Sequence, residues 1–259
     1  MNFGNPNIFE LMETLKGLGK LSILTDRKIK SEGKGSKKIK EFLDKLVLGF
    51  AKHSAKYINT LNEAPFIFKE RQLNSILAPV FSKIGDAFVT EHPMKRKNLS
   101  LKMREAGKKS YSGWIDYWAR CGDFDFYIEV KHDYDAFNTE PIRLSALRNW
   151  KNMWEQLNGI KKEAKSISEQ APGIYLVSLH VIVIYDFRKL HVEENPEYDV
   201  SDLIGIQEKY FDNLSTPSPK WSGMWILHDE LVKTCRWESE THVECYPAVM
   251  FFSKFENIK

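Results

Sequence analysis

Acidic residues stand inside a stretch of chain whose other residues favour a β-sheet. Residues 112–133 read SGWIDYWARCGDFDFYIEVKHD and contain five acids among aromatic and β-branched residues. A carboxylate that is removed from water is costly unless it is paired, protonated or coordinated. Closely spaced carboxylates are also the oxygen ligands that a hard cation such as Mg²⁺ prefers. The stretch therefore predicts acidic side chains that hold a divalent metal ion.

The dipeptide Gly122-Asp123 is suited to a two-residue β-hairpin turn, because glycine tolerates a positive φ. With this turn, Cys121 faces Phe124, and the register then places Asp116 directly opposite Glu129. Side chains alternate between the two faces of a strand. The core face is then predicted to carry Ile115, Tyr117, Ala119, Phe126, Ile128 and Val130, and the site face Trp114, Asp116, Trp118, Asp125, Tyr127, Glu129 and Lys131.

Asp116 and Glu129 would repel each other in this register. Directly opposed residues of two antiparallel strands have Cβ atoms about 4.5–5.5 Å apart, and like charges so placed are destabilising. The pair needs a proton, a neighbouring cation or a bound metal ion. Lys131 follows on the same face, so its ammonium group can reach whatever the metal ion holds.

Glu70 is a third candidate acid, upstream of the hairpin. Leu73, Leu77 and Val80 recur at three- and four-residue steps, which predicts the buried face of a helix. Glu70 lies one step ahead of Leu73 on the same face. At the start of the helix its carboxylate can reach the rim of the site.

The pattern acid-x-Lys occurs at four places in the chain, which are Asp26–Lys28, Glu32–Lys34, Glu129–Lys131 and Glu163–Lys165. Three of these lie in basic loops or on a polar helix, where solvated charges explain them. Glu129–Lys131 instead ends an apolar strand and has Asp116 opposite. The alternative is an edge hairpin whose charges are simply solvated.

Composition and length indicate a soluble globular protein. The chain has 259 residues, 42% of them hydrophobic and 28% charged. It has no apolar run of the ~20 residues that a membrane span requires. Its start lacks the layout of a signal peptide, and three cysteines cannot all pair. We therefore expect a cytoplasmic protein that is not membrane-bound.

Positive charge is concentrated in two runs, although the net charge is only +3. Residues 27–40 and 95–109 each hold seven Lys or Arg against one Glu, whereas acids gather in residues 191–202. Such asymmetry points weakly to a polyanion such as DNA or RNA. The alternative is that both basic runs are solvated loops.

Hydrophobic periodicity predicts the order of elements along the chain. Residues 1–25 are predicted to be helical, 39–61 to form a long amphipathic helix, and a second helix to begin at about 66, kinked or ended by Pro79. Strands, the hairpin, a helix and further strands follow, which predicts an α/β fold with a mixed sheet flanked by helices. We expect an N-terminal helical extension, 1–65, and a main domain, 66–259.

At the candidate residues the chain resembles the PD-(D/E)XK nuclease superfamily, whose fold is restriction-endonuclease-like. The segment FKERQ offers Glu70, GWIDYW offers Asp116, and YIEVKH offers Glu129 and Lys131. The resemblance covers roughly residues 66–185. Ile115 stands where the family name has Pro. Some members also carry Gln-x-x-x-Tyr on the following helix, and here Gln156 is followed by Ile160.

The resemblance implies a restriction-endonuclease-like domain that hydrolyses DNA phosphodiester bonds with Mg²⁺ or Mn²⁺. Asp116, Glu129 and the carbonyl of Val130 would hold the metal ion. Lys131 would orient or help to deprotonate the attacking water. Glu70 would contact the metal ion's water or hold a second ion.

Two other functions stay open from the sequence. The first is a nucleic-acid-binding or assembly protein that keeps the fold without cleaving. The second is a hydrolase for RNA or a small phosphoester on the same core. Cutting both strands of a duplex takes two sites, which a homodimer would supply.

Overall fold

The structure is a computed structural model, and it describes residues 8–27, 35–96, 111–138, 141–189 and 197–259. Half of the first basic run, most of the second and the first half of the acidic run lie outside these residues.

Ten strands in the described ranges form one mixed sheet. They are β1 (Ile8–Leu15), β2 (Gly19–Asp26), β3 (Ala87–Arg96), β4 (Tyr111–Cys121), β5 (Phe124–Ala136), β6 (Gly173–Lys189), β7 (Trp221–Leu227), β8 (Trp237–Glu238), β9 (His242–Ser253) and β10 (Phe255–Asn257). The main order across the sheet is β1-β2-β7-β9-β6-β5-β4-β3, with β10 paired to β6 and β8 paired to β9.

The β5–β6 pair is parallel, and the other strand pairs in this sheet are antiparallel. A parallel pair needs a long crossover connection, and a helix after β5 provides it. Strand β3 lies at the edge of the sheet, which explains how it tolerates Pro93, a residue without a backbone donor.

Helices cover both faces of the sheet. They are α1 (Ser36–Leu61), α2 (Asn74–Ile84), α3 (Leu144–Ile167), α4 (Val200–Asn213) and the short α5 (Asp229–Thr234). The predicted helices over 39–61 and in 143–167 are confirmed, and so is the mixed sheet with flanking helices. Among the described helices, none is both long and apolar enough to cross a membrane.

The core lies in layers on either side of the sheet. On one face, α1 and α2 pack through residues such as Phe50 and Phe81 on β4, β5, β6, β7 and β9. On the other face, Trp150 and Met153 of α3 and Tyr210 of α4 pack on β6, β7 and β9. Ile128 and Val130 of β5 belong to the α1–α2 face, so Glu129 and Lys131, which alternate with them, start from the opposite face of the sheet.

The prediction that residues 1–25 are helical is wrong for the described part of that segment. Residues 8–26 form the antiparallel hairpin β1–β2, and β2 pairs with β7 over Gly19–Thr25. Alternating burial does not mark β2, because Leu21 to Thr25 are buried consecutively between helices on both sides. The hairpin therefore extends the same sheet that carries the candidate site.

The helix predicted to begin at about residue 66 begins later. Pro65–Ile67 and Glu70–Leu73 form separate 3₁₀ turns, and α2 starts at Asn74. Pro79 lies within α2 and does not end it. Glu70 is consequently on a turn that precedes the helix, and 45% of its side chain is exposed.

Candidate metal centre

The hairpin turn and the register next to it are as predicted. Cys121 pairs with Phe124, and the ladder continues to Tyr117 opposite Ile128. The pair predicted next, Asp116 opposite Glu129, is absent from the ladder. Asp116 instead accepts a hydrogen bond from the backbone N–H of Val130 through Oδ2, at 2.6 Å. Strand β4 therefore begins to leave β5 at the candidate acid.

A kink shared by β3 and β4 accounts for this departure. Glu91 on β3 has φ of 50°, in the left-handed region, and the β3–β4 ladder omits its pair with Asp116. Beyond the kink the strand faces are exchanged. Tyr117 packs with Ile128 on the α1–α2 face, but Ile115 packs with Tyr127 on the other face. The prediction that Ile115 shares the core face of Tyr117 is therefore wrong.

Lys131 lies at the centre of the predicted site residues. Its Nζ is 3.5 Å from Oε1 of Glu70 and 3.8 Å from Oε1 of Glu129. The same Nζ donates a hydrogen bond to the carbonyl oxygen of Val130 at 2.8 Å. Because Val130 also donates its N–H to Asp116, the structure brings together all five residues that the sequence singled out.

Arg96 holds the second oxygen of Glu129. One guanidinium nitrogen, Nη2, lies 3.1 Å from Oε2 of Glu129, and the same nitrogen donates to the carbonyl of Trp114. Both partners of the ion pair are buried, with side-chain exposures of 7% for Arg96 and 4% for Glu129. Glu129 thus has a different cation at each of its two oxygens.

Burial dominates the electrostatics of the two strand acids. It raises the pKa of Glu129 to about 7, the Asp116 charge adds to the rise, and Arg96 and Lys131 oppose it. Burial likewise raises the pKa of Asp116, while the hydrogen bond from Val130 and the charge of Lys131 lower it. Displaced pKa values of neighbouring carboxyl groups in a cleft are typical of functional sites.

A cleft of about 220 Å³ opens in front of Asp116. Its lining residues come from the 3₁₀ turn, α2, β3, β4 and β5: Glu70, Arg71, Leu73, Asn74, Leu77, Glu91, Asp116, Tyr117 and Val130. The hydroxyl of Tyr117 donates to the side chain of Asn74 and so connects β4 to the start of α2. Three carboxylates, Glu70, Glu91 and Asp116, face this cleft.

The possible ligands around the cleft are oxygen atoms, which is the type of ligand that Mg²⁺ and Mn²⁺ prefer. Within the described ranges, however, no three His, Cys, Asp or Glu side chains are grouped closely enough to hold a metal ion. Arg96 and Lys131 each already engage one oxygen of Glu129. The assigned roles of the five residues stay predictions.

Two residues of the site were missed from the sequence. Arg96 was counted within a basic run, yet it is buried and directed at Glu129. A glycine inside a strand, Gly113, was the available signal, because such a glycine marks the close approach of another group. Glu91 gave no signal, since its position in the cleft depends on the kink.

The chain matches no protein-family model, no curated protein and no solved structure at a significant level of similarity.

Proposed function

We propose that this protein hydrolyses phosphodiester bonds of DNA at the cleft between the 3₁₀ turn of Glu70 and strands β4 and β5. The proposed chemistry is attack by a water molecule activated by Mg²⁺ or Mn²⁺. The observation that carries the proposal is the convergence of Glu70, Val130 and Glu129 on the ammonium group of Lys131.

Three side chains of this group have distinct tasks in the proposal. Lys131 sits between the acids, where its positive charge can orient the attacking water and stabilise negative charge on phosphate oxygens. Asp116 is held by the N–H of Val130, which fixes one carboxylate oxygen and leaves the group facing the cleft. Glu70 is half-exposed at the rim, where incoming solvent and substrate pass.

Asp116, Glu129 and the carbonyl of Val130 would hold the metal ion, with Glu70 beside them. When bound, the ion would lower the pKa of a coordinated water and neutralise charge on the phosphate. The buried carboxyl of Glu129, whose pKa is raised by burial and by Asp116, is in an environment that favours a nearby cation. Glu129 must exchange its present partners to meet such an ion.

The restriction-endonuclease-like fold is part of this proposal. Its support is the order of elements, in which a helix precedes an antiparallel β3–β4–β5 unit and α3 connects β5 to the parallel strand β6. The resemblance of residues 66–185 to the PD-(D/E)XK pattern predicts the same order. We place the proposed catalytic acids at the point where β4 and β5 separate.

A second candidate is a protein that binds nucleic acid or takes part in an assembly and does not cleave. One observation favours it, namely that the described acids do not converge into a metal-binding group. Metal binding by the intact chain separates the two candidates, because a non-cleaving protein has no need for the ion.

The test of the proposed function is a nicking assay on plasmid and single-stranded DNA with Mg²⁺ or Mn²⁺. We expect cleavage by the wild type and a loss of most activity in Lys131→Ala and Asp116→Asn. A matched control is Lys162→Ala, an exposed lysine on α3. Equal cleavage by all four proteins would refute the site, and a folded wild type that binds no Mn²⁺ in calorimetry would favour the second candidate.

A further inference from the structure

Arg96 reaches Glu129 from across an intervening strand. Arg96 belongs to β3 and Glu129 to β5, and β4 lies between these strands in the sheet. Arg96 is 6% exposed and Glu129 is 3% exposed, so their ion pair is shielded from water. A shielded pair of this kind interacts much more strongly than one on the surface.

Gly113 provides the space through which the arginine crosses β4. A Cβ atom on Gly113 would lie 2.6 Å from Nε and 2.9 Å from Cδ of Arg96, which is closer than carbon and nitrogen atoms can pack. The Gly113 backbone has no positive φ, so its conformation does not require glycine. The missing side chain therefore serves the passage of the Arg96 side chain.

Hydrogen bonding alone does not explain why Arg96 is buried. Its Nη2 donates to Glu129 and to the carbonyl of Trp114, but its Nε has no hydrogen-bond partner among the described residues. Leaving a donor of a buried guanidinium unpaired is unfavourable. The compensating interaction is the charge of Glu129, next to a second acid, Asp116.

We propose that Arg96 is a built-in counter-cation that competes with the divalent metal ion for Glu129. The competition with a metal ion rests on the proposed function, whereas the dependence of Glu129 on Arg96 does not. Oε2 of Glu129 is engaged by Arg96, and a fixed positive charge beside a carboxylate lowers its affinity for another cation. Arg96 thereby keeps the metal-free site neutralised and sets how tightly the metal ion binds.

The proposal has opposite consequences for the two states of the protein. Without Arg96, the metal-free protein keeps Glu129 buried beside Asp116, and among the described residues Lys131 is the one cation left near it, at 3.8 Å, so the protein becomes less stable. The metal-bound protein loses a repelling charge. An ordinary structural arginine would instead stabilise both states equally.

The experiment compares Arg96→Met and Arg96→Lys with Gly113→Ala, in which an added methyl group displaces the guanidinium and no charge changes. The control is Gly205→Ala on α4, where an added Cβ meets nothing within 4 Å. Thermal unfolding is followed in EDTA and in saturating Mn²⁺, and Mn²⁺ affinity is measured by calorimetry on the full chain.

We expect Arg96→Met and Gly113→Ala to have a lower Tm than wild type in EDTA and a larger rise in Tm with Mn²⁺. Both should bind Mn²⁺ on the order of tenfold more tightly than wild type, because a repelling charge has been removed or displaced. Arg96→Lys should lie between them and wild type. Gly205→Ala should show the wild-type rise with Mn²⁺.

Two results would overturn the proposal. One is a fall in Tm that is the same with and without Mn²⁺, and the other is a Gly113→Ala protein that behaves like Gly205→Ala. If Arg96→Met does not fold, Gly113→Ala carries the same comparison with the native charges.

A double-mutant cycle of Arg96→Met with Glu129→Gln, measured without metal ions, tests the pairing of Arg96 with Glu129 independently of the proposed function. We expect the two substitutions together to destabilise less than the sum of the single substitutions. Additive effects would refute the pairing. A third outcome is that Arg96 and Glu129 are coupled but the wild type gains no stability from Mn²⁺. That outcome would refute the metal site and the competition for Glu129, whereas the ion pair between Arg96 and Glu129 would be confirmed.

Discussion

Asp116 accepts the backbone N–H of Val130 through Oδ2 at 2.6 Å, and this bond takes the place of the strand pair between Asp116 and Glu129. The carboxylate therefore replaces a backbone carbonyl as the hydrogen-bond acceptor at the point where β4 leaves β5. One residue consequently supports both the local structure and the charge of the cleft.

Replacing Asp116 separates these two contributions. Asp116→Asn keeps an oxygen that can accept from Val130, so we expect a small change in stability. Asp116→Ala leaves that N–H without its acceptor and should cost about 1–3 kcal/mol in the free energy of unfolding. Both variants lose the charge and should lose most Mn²⁺-dependent cleavage.

Urea unfolding and the nicking assay check this prediction, with Asp123→Asn at the exposed hairpin turn as the control. Equal stability of the Asn and Ala variants would contradict the structural role of the Asp116 carboxylate.

The stability of the metal-free protein should fall between pH 4.5 and about 7 because of Glu129. Burial raises the pKa of this group to about 7 in the folded state, with Asp116, Arg96 and Lys131 as the charges that face it. The folded state therefore binds the proton more tightly than the unfolded state. The resulting stabilisation is complete below pH 4.5 and is lost as the pH rises through 7.

The size of this loss is at most roughly 3 kcal/mol, from a pKa that rises from 4.5 to about 7. Glu129→Gln does not titrate, so its free energy of unfolding should change less over the same pH range. Urea unfolding in EDTA from pH 5 to pH 8 measures the difference. Parallel curves for the two proteins would show that Glu129 is not the titrating group.

Because Glu91 has a left-handed backbone conformation, glycine at this position should give a more stable protein than alanine. A non-glycine residue at φ of 50° is strained by about 1 kcal/mol or more. We expect Glu91→Gly to be more stable than Glu91→Ala by about that amount. Both substitutions remove a carboxylate from the cleft, so they should reduce Mn²⁺-dependent cleavage equally.

The neighbouring residue supplies the control for Glu91. Thr90 is in β3 without a positive φ, so Thr90→Gly should be less stable than Thr90→Ala. Thermal unfolding measures the stability of all four variants. If the Gly and Ala variants had the same order of stability at position 90 as at position 91, the strain at Glu91 would be contradicted.

Exposed lysines near the end of α1 should contribute to nucleic-acid binding. Lys52 and Lys56 lie on one side of this helix, and Tyr57 donates to the carbonyl of Ser75 at 3.5 Å, at the start of α2. Asn74, the residue before Ser75, lines the cleft. Lys52→Glu with Lys56→Glu should weaken DNA binding and flatten its salt dependence, because phosphate contacts are lost.

Fluorescence anisotropy without metal ions measures this binding over a range of salt concentrations. The control is Lys162→Glu with Lys165→Glu, two exposed lysines on α3 that carry the same change of charge on the other face of the sheet. Equal losses in the two double variants would mean that total charge, rather than the end of α1, determines binding.

Local patterns in the sequence were sufficient for most of the elements near the site. The turn at Gly122-Asp123 depends on backbone preferences of two residues, and the observed register from Cys121 to Tyr117 follows from it. The long helix α1 follows from a periodic apolar face. The hairpin β1–β2 could not be predicted in this way, because β2 is buried on both faces and lacks the alternation that marks a strand.

The sequence by itself determined that Asp116 comes close to the segment Glu129–Lys131, since these three residues are adjacent on one strand and a short turn brings Asp116 to them. The tertiary structure alone decided how these groups are arranged. The kink at Glu91 and Asp116 exchanges the strand faces, and Arg96 crosses over Gly113 to pair with Glu129. Neither feature could be predicted from local spacing, because both depend on contacts between residues on different strands. The burial and the charge of each residue there depend on neighbours that are distant in the sequence.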